Sequence, residues 1–166
     1  MAKIIKGKLP VTWISNDYEG LSYTPHPDPN RGFVLRSGDS HQLEKAPLET
    51  CRDVPANILQ NITKLKLRNM SYAIQKYYLN SYLPWHKDTY TTYRKHNKLE
   101  KDETVFRIIL FLHDSVPGQQ LWIDQELCYG SAGDYFGWSE DSWHMAANLC
   151  NEHRYNLQIT GIAPRQ

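Results

Sequence analysis

The hydrophobic pattern changes character near Met70. Beyond it, apolar residues come in short runs: "YAIQKYYL", "TVFRIILFLHD", "QQLWID", "DYFGW" and "RYNLQITGI". These runs are rich in β-branched and aromatic residues, and most are separated by glycine, proline, asparagine or aspartate. Such runs read as strands broken by turns, and a regular series of them predicts a sandwich or barrel. Before Met70 the pattern is mixed. "GKLPVTWIS" and "GFVLRSG" are strand candidates, and the proline-dense "PHPDPNRG" is a loop. The helix candidate is "DVPANILQNITKLKLRN", residues 53–69. Asp53 can cap it, Pro55 suits its first turn, and Ile58, Ile62 and Leu65 share one face. Residues 92–104, "TYRKHNKLEKDET", interrupt the strands with charge. They predict a solvated loop or short exposed helix, with a lid beside a site as the functional alternative. The whole reads as a mainly β barrel with one or two N-terminal helices packed on one face.

Composition narrows the class. A chain of 166 residues with 40% hydrophobic content suits one domain. The expected division is an N-terminal support region over roughly residues 1–69 and a barrel core over roughly 70–163. Nineteen Lys and Arg against eighteen Asp and Glu leave a formal charge of +1. That balance offers no electrostatic reason for a nucleic-acid or membrane partner. Cys51, Cys128 and Cys150 are an odd number at wide spacings, with no CxxC. They argue against a disulfide framework and against a cysteine zinc site, and they favour a reducing compartment. The opening "MAKIIKGKLP" has no long apolar core, and no run elsewhere is long enough to span a bilayer. The expectation is a soluble, cytoplasmic protein.

Two His-x-Asp pairs are the candidate chemistry. His86 and Asp88 stand in "SYLPWHKDTY", and His26 and Asp28 in "TPHPDPN". In a strand, residues two apart project from one face, so His86 and Asp88 could both aim into a barrel. His26 and Asp28 are flanked by prolines, which exclude a central strand and leave them a loop feature. Alone, His86 and Asp88 also read as an ordinary polar pair. A metal site needs a third ligand. His144 lies in "GDYFGWSEDSWHMAANL", a strand, turn and strand opened by Gly133 and Asp134. The other histidines have plainer settings. His41 lies in a Ser/Asp-rich loop, His96 in the charged interruption, and His153 at the start of the last strand. His113 ends the "FRIILFLH" strand as a polar cap. Two histidines and one carboxylate on one side of an iron ion form the facial triad of non-haem iron oxygenases. Arg154 follows His144 by ten residues. A turn at "LCNE" would place it on the antiparallel neighbour, in the same cavity. A lone arginine there reads as a strand-edge ion pair; beside a metal triad it reads as a bidentate grip on a carboxylate.

The ordered set His86-x-Asp88, His144 and Arg154 resembles the iron(II)- and 2-oxoglutarate-dependent dioxygenases. The resemblance covers roughly residues 70–163, and residues 1–69 carry no match. It implies a double-stranded β-helix (a jelly-roll, cupin-like barrel). It also implies iron(II) held by His86, Asp88 and His144, and 2-oxoglutarate held at its distal carboxylate by Arg154. The implied reaction is a hydroxylation with dioxygen that yields succinate and carbon dioxide. A narrower likeness, through Arg107, Asn148 and Arg154, is to the aspartyl/asparaginyl β-hydroxylase group. It implies that Arg107 reaches the other carboxylate of the co-substrate or a substrate carboxylate. Asp88 departs from the mammalian-type members, which lack the metal carboxylate, and is similar to the free-proline hydroxylases. Prolyl-4-hydroxylase-like enzymes share the triad but usually carry lysine where Arg154 stands. Tyr77 matches a place where a tyrosine often supports 2-oxoglutarate. Trp85, Tyr82, Trp122 and Trp143 are candidates for a substrate pocket. The expected substrate is an amino-acid side chain, free or in a polypeptide. The alternatives are a nucleic-acid oxidative demethylase on the same scaffold and a non-enzymatic, cupin-like binding module.

Overall fold

The apolar runs become the strands of two facing sheets. The structure, a computed structural model, describes residues 4–10, 18–25, 43–48 and 66–163. Three short strands come first: β1 (Ile5–Lys8), β2 (Thr24–Pro25) and β3 (Leu43–Leu48). The barrel follows as β4 (Arg68–Tyr77), β5 (Ser81–His86), β6 (Val105–Phe111), β7 (Gln119–Ile123), β8 (Glu126–Leu127), β9 (Asp134–Ser139), β10 (His144–Asn148) and β11 (Arg154–Ile162). A short helix, α1 (Thr91–Asn97), lies between β5 and β6.

All strand pairs are antiparallel. The large sheet runs β1-β9-β6-β11-β4-β3-β2 and the small sheet β5-β10-β7-β8. From β4 onward the chain passes back and forth between the sheets. The four strands β9-β6-β11-β4 thereby face β5-β10-β7-β8, giving the eight-stranded jelly roll, or double-stranded β-helix. Gly133 permits one of the crossings. Its φ of 90° is open to glycine, and its N–H reaches the Phe111 carbonyl at 2.9 Å as the chain enters β9.

The large sheet has apolar residues on both faces. Ile74, Ile108, Leu110, Leu157 and Ile159 point outward and pack with Leu9 and Tyr18 from the N-terminal region. Ile109, Phe111, Phe136 and Trp138 point inward and meet Leu121, Ile123 and Ala146 of the small sheet. Full burial of a residue such as Leu157, which is 0% exposed, contributes about 1.5–3 kcal/mol.

Several expectations are adjusted. The helix candidate over 53–65 lies outside the described residues, as do Val11–Ser15, His26, Asp28, residues 32–38 and His41. At the candidate's far end Arg68 and Asn69 already belong to β4, so the helix does not extend to 69. Within the charged interruption α1 buries no residue, but the segment is fastened to the barrel. Arg94 donates to both carboxylate oxygens of Glu140, at 3.1 and 2.5 Å, and to the carbonyls of Glu100 and Glu103 at 3.1 and 2.7 Å. Among the described residues no helix is long and apolar enough to cross a membrane.

Candidate metal centre

His86 and His144 are register partners at the β5–β10 ladder, and their rings meet with centroids 4.2 Å apart. Both are buried. Each ring is pinned in the same way: His86 Nδ1 lies 2.7 Å from the Pro84 carbonyl, and His144 Nδ1 lies 3.2 Å from the Ser142 carbonyl. A carbonyl only accepts, so Nδ1 carries the proton in each ring. Nε2 is then the nitrogen each ring can offer a metal.

Asp88 completes the group. Its Oδ1 is 3.8 Å from His86 Nε2, and its Oδ2 is 3.5 Å from His144 Nε2. Ligand atoms of the three residues all lie within 4.8 Å of one another, so the group could hold a metal ion. Asp88 Oδ2 is buried and makes no hydrogen bond of ordinary geometry. Two imidazole lone pairs and one carboxylate are the donor set that suits divalent iron.

The surroundings set the protonation states. Burial pushes the Asp88 carboxyl up, but Arg107 above all, with His144, His86 and the Tyr90 hydroxyl, outweighs it and holds Asp88 well below the usual carboxylate range. Burial lowers His144 from 6.5 to about 4 against the upward pull of Asp88. The site is therefore poised with a charged carboxylate and a neutral His144, which is the form that binds a cation.

One expectation about geometry is corrected. β5 ends at His86, so Asp88 lies beyond the strand and strand alternation does not aim it. Its neighbours do. Arg107 Nη2 lies 3.2 Å from Asp88 Oδ2. The Tyr90 ring is buried beside both, with the Arg107 guanidinium 5.0 Å from its centroid. Tyr90 takes a φ of 49° at the start of α1, a conformation unusual for a bulky residue. The buried ring holds the turn that returns Asp88 to the histidines.

Arg154 is also placed differently from expectation. β10 and β11 are not ladder neighbours; they lie in opposite sheets and meet across the cavity. The cavity is small, about 20 Å³, and His144, Arg107, Arg154, Tyr77, Gln75, Asn156 and Trp138 are among the residues lining it. Arg154 is 3% exposed. It donates to the Gln120 carbonyl at 2.6 Å and the Ala147 carbonyl at 3.5 Å, and stacks over Phe111 with 5.1 Å to the centroid. In the amide orientation that its neighbours favour, Asn156 accepts the Arg154 Nε–H at 3.3 Å. Among the described residues no carboxylate pairs with Arg154. Burial lowers its pKa to about 10, with Tyr77 opposing, so it remains a cation at neutral pH. Tyr77 is its ladder partner, and the guanidinium lies 5.9 Å from the Tyr77 ring.

The remaining candidates sort by which way their strands turn them. Trp85 and Trp143 are 44% and 52% exposed. With Tyr82 and Trp122 they do not line the cavity; Trp138 does, packed 4.8 Å from the His144 ring. Asn148 is a structural clamp, donating to the carbonyls of Tyr77, Tyr78 and Glu152 at 3.2, 2.9 and 2.8 Å. His113 lies two residues past the end of β6 rather than at its last position, and its Nε2 accepts the Tyr155 N–H of β11 at 3.1 Å. A larger open cleft, about 560 Å³, lies near His113 and His153. Among the described residues no metal-ligating group converges there. Sequence reasoning missed Tyr90, Trp138, Gln75 and Gln158. The glutamines were detectable as polar residues inside otherwise apolar strands.

No protein-family model matches the chain, and no curated protein matches it in sequence. Solved structures share its fold. A prolyl-4-hydroxylase from Pseudomonas putida superposes with a TM-score of 0.64 at 12% identity, over 98% of this chain and 93% of that one. An oxidoreductase of the 2OG-Fe(II) oxygenase family from Burkholderia pseudomallei gives 0.57 at 13%, over 89% and 76%. A predicted oxalate decarboxylase from Thermotoga maritima gives 0.51 at 15%, over 87% and 95%. The likeness at these identities is one of fold.

Proposed function

We propose that this protein is an iron(II)- and 2-oxoglutarate-dependent oxygenase that hydroxylates an amino-acid side chain, free or within a polypeptide. The observation that carries the reading is the close grouping of His86, Asp88 and His144, with His144 lining a cavity that also holds the buried Arg154, which has no carboxylate partner among the described residues. A guanidinium kept from water and served mainly by carbonyls and rings is suited to an anionic ligand. The dicarboxylate 2-oxoglutarate would place one carboxylate on Arg154, beside Tyr77, and offer its other end to the metal. The Arg107 Nε–H, buried without a hydrogen-bond partner, is a further donor for a carboxylate of co-substrate or substrate. A non-enzymatic binding module on the same barrel has no use for such an arginine. The fold shared with a prolyl-4-hydroxylase supports an amino-acid substrate.

The overall reaction balances as R–H, dioxygen and 2-oxoglutarate giving R–OH, succinate and carbon dioxide. Iron and 2-oxoglutarate, when bound, supply the activation of dioxygen. The protein's residues orient the reactants. The Pro84 and Ser142 carbonyls hold each Nε2 toward the metal position, Trp138 shields the His144 ring, and the apolar barrel wall excludes water. Anaerobic addition of iron(II) and 2-oxoglutarate should produce a visible charge-transfer band, and oxygen should then yield succinate. Both should vanish in Asp88→Ala and persist in Asp28→Ala. Folded wild-type protein that gives neither band nor succinate overturns the proposal.

A further inference from the structure

We infer that Gln158, backed by Gln75, is a positioning residue for the metal-binding carboxylate and acts through Arg107. The inference rests on the reading of His86, Asp88 and His144 as a divalent-metal site.

The three ligands are not held equally. The histidines belong to strands, at β5 and β10, and each has its Nδ1 on a carbonyl. Asp88 has left its strand and lies in the irregular stretch before α1. Its carboxylate depends on side chains for direction, and the charged one is Arg107, at 3.2 Å. Arg107 is itself a long side chain with many rotamers, and fixing it costs entropy. What fixes it is Gln158 on β11. Arg107 Nη1 donates to Gln158 Oε1 at 2.9 Å, and Gln75 Nε2 on β4 donates to the same oxygen at 2.7 Å.

The polarity of this chain has one solution. A guanidinium has donors only, so Gln158 must turn its oxygen to Arg107. Gln75 must then present its NH2 to that oxygen. Amide orientation is thus set by the arginine rather than by a choice between equivalent flips. Both amides are buried, at 3% and 8% exposure, and sit on the inward faces of two strands of the large sheet. Burying two amides is unfavourable unless they are hydrogen-bonded, and an apolar residue would fill the space without that demand. The arrangement yields a fixed Arg107 and, through it, a fixed Asp88.

Anaerobic cobalt(II) titration tests this, read by calorimetry and by the visible cobalt spectrum, with thermal melting of each metal-free variant as the folding control. Gln158→Leu should weaken cobalt binding about 10- to 100-fold, the cost seen when an outer partner of a metal ligand is removed, and should alter the spectrum. Gln158→Glu keeps the acceptor oxygen and should stay within about threefold of wild type, on the same reasoning. Wild-type affinity and spectrum in folded Gln158→Leu, or an equal loss in Gln158→Glu, overturns the inference. Should Gln158→Leu fail to fold, Gln75→Leu decides: weaker binding with a shifted spectrum supports it, and unchanged binding overturns it. Failure of the metal reading looks different. Wild-type protein would then bind no cobalt, or Asp88→Ala would bind it equally well.

Discussion

The two faces of β11 are both buried and have opposite chemistry. Outward, Tyr155, Leu157 and Ile159 lie against Leu9, Tyr18 and the partly buried Leu21 and Tyr23. Inward, Arg154, Asn156, Gln158 and Thr160 face the cavity side, each 8% exposed or less. Alternation of polar and apolar residues usually separates a solvent face from a core face. Here the apolar face is outside, roofed by the N-terminal region, and the polar face is inside. The outward face holds the fold through apolar area. The inward face spends hydrogen-bonding groups in a dry interior, which is costly for a structure and useful for a site.

Substitutions on this one strand can separate the two roles. The largest effect is expected inside. Arg154→Ala removes two or more charge-assisted hydrogen bonds to a bound carboxylate, at about 1.5–3 kcal/mol each. The affinity of manganese-loaded protein for 2-oxoglutarate, measured by anaerobic calorimetry, should fall by at least about 100-fold. Metal binding should be nearly unchanged. Next comes the outer face. Leu157→Ala should destabilise the protein by about 2–5 kcal/mol in denaturant unfolding, because it leaves a cavity in a packed layer. The surviving folded protein should bind 2-oxoglutarate as wild type does. Equal effects of the two substitutions on co-substrate affinity would dissolve the distinction between the faces.

Acid should expose the interior's cost more gradually. Burial holds His144 near 4 in the folded protein, from an ordinary 6.5. The unfolded chain therefore takes up this proton first, and metal-free protein loses stability as pH falls from about 6.5 to about 4, by at most about 1.4 kcal/mol per pH unit. Asp88 is held below its ordinary 3.8, so its contribution is present above that value and is lost below it. Thermal melts of metal-free protein between pH 8 and 4.5 should show the His144 decline, with a shallower slope in His144→Gln. Parallel slopes would remove His144 as the cause.

Much of this was legible in the order of residues, and the failures have physical causes. Strands β4, β6, β7, β9 and β11 follow their apolar runs, because side-chain pattern and turn residues are local signals. His86, Asp88 and His144 come close together, and Arg154 lines a cavity with His144. The routes by which they do so were not legible. Spacing alone puts Asp88 in a strand that in fact stops at His86, because spacing does not reveal where a ladder ends. Sequence order suggests Arg154 on the strand beside His144, whereas the turn after Asn148 crosses to the other sheet. Whether a turn pairs two strands or crosses between sheets is decided by distant partners. Gln75, Gln158 and Tyr90 carry no motif. Their importance comes from Arg107, which the chain brings to Gln158 from 51 residues away.

The smallest expected effect sharpens the comparison at the small sheet. Trp85 and Trp143 each stand one residue before a candidate ligand, His86 and His144. Adjacent residues of a strand face opposite ways, so a histidine aimed inward commits the tryptophan before it to the outside. That rule withdraws Trp85 from the pocket, since it shares β5 with His86, whereas Trp143 precedes the first residue of β10 and lies outside the strand. Trp85 is 44% exposed and Trp143 is 52% exposed, the latter with the Lys87 ammonium 5.7 Å from its ring. A half-exposed aromatic has surrendered only part of its surface. Trp85→Ser and Trp143→Ser should each change unfolding stability by about 0.5 kcal/mol or less. Cobalt and 2-oxoglutarate affinities should stay within about twofold, since no side-chain atom of the site is removed. A tenfold loss of either affinity in Trp143→Ser would mean that the outer face of the small sheet supports the site, and that the separation seen on β11 does not extend across the barrel.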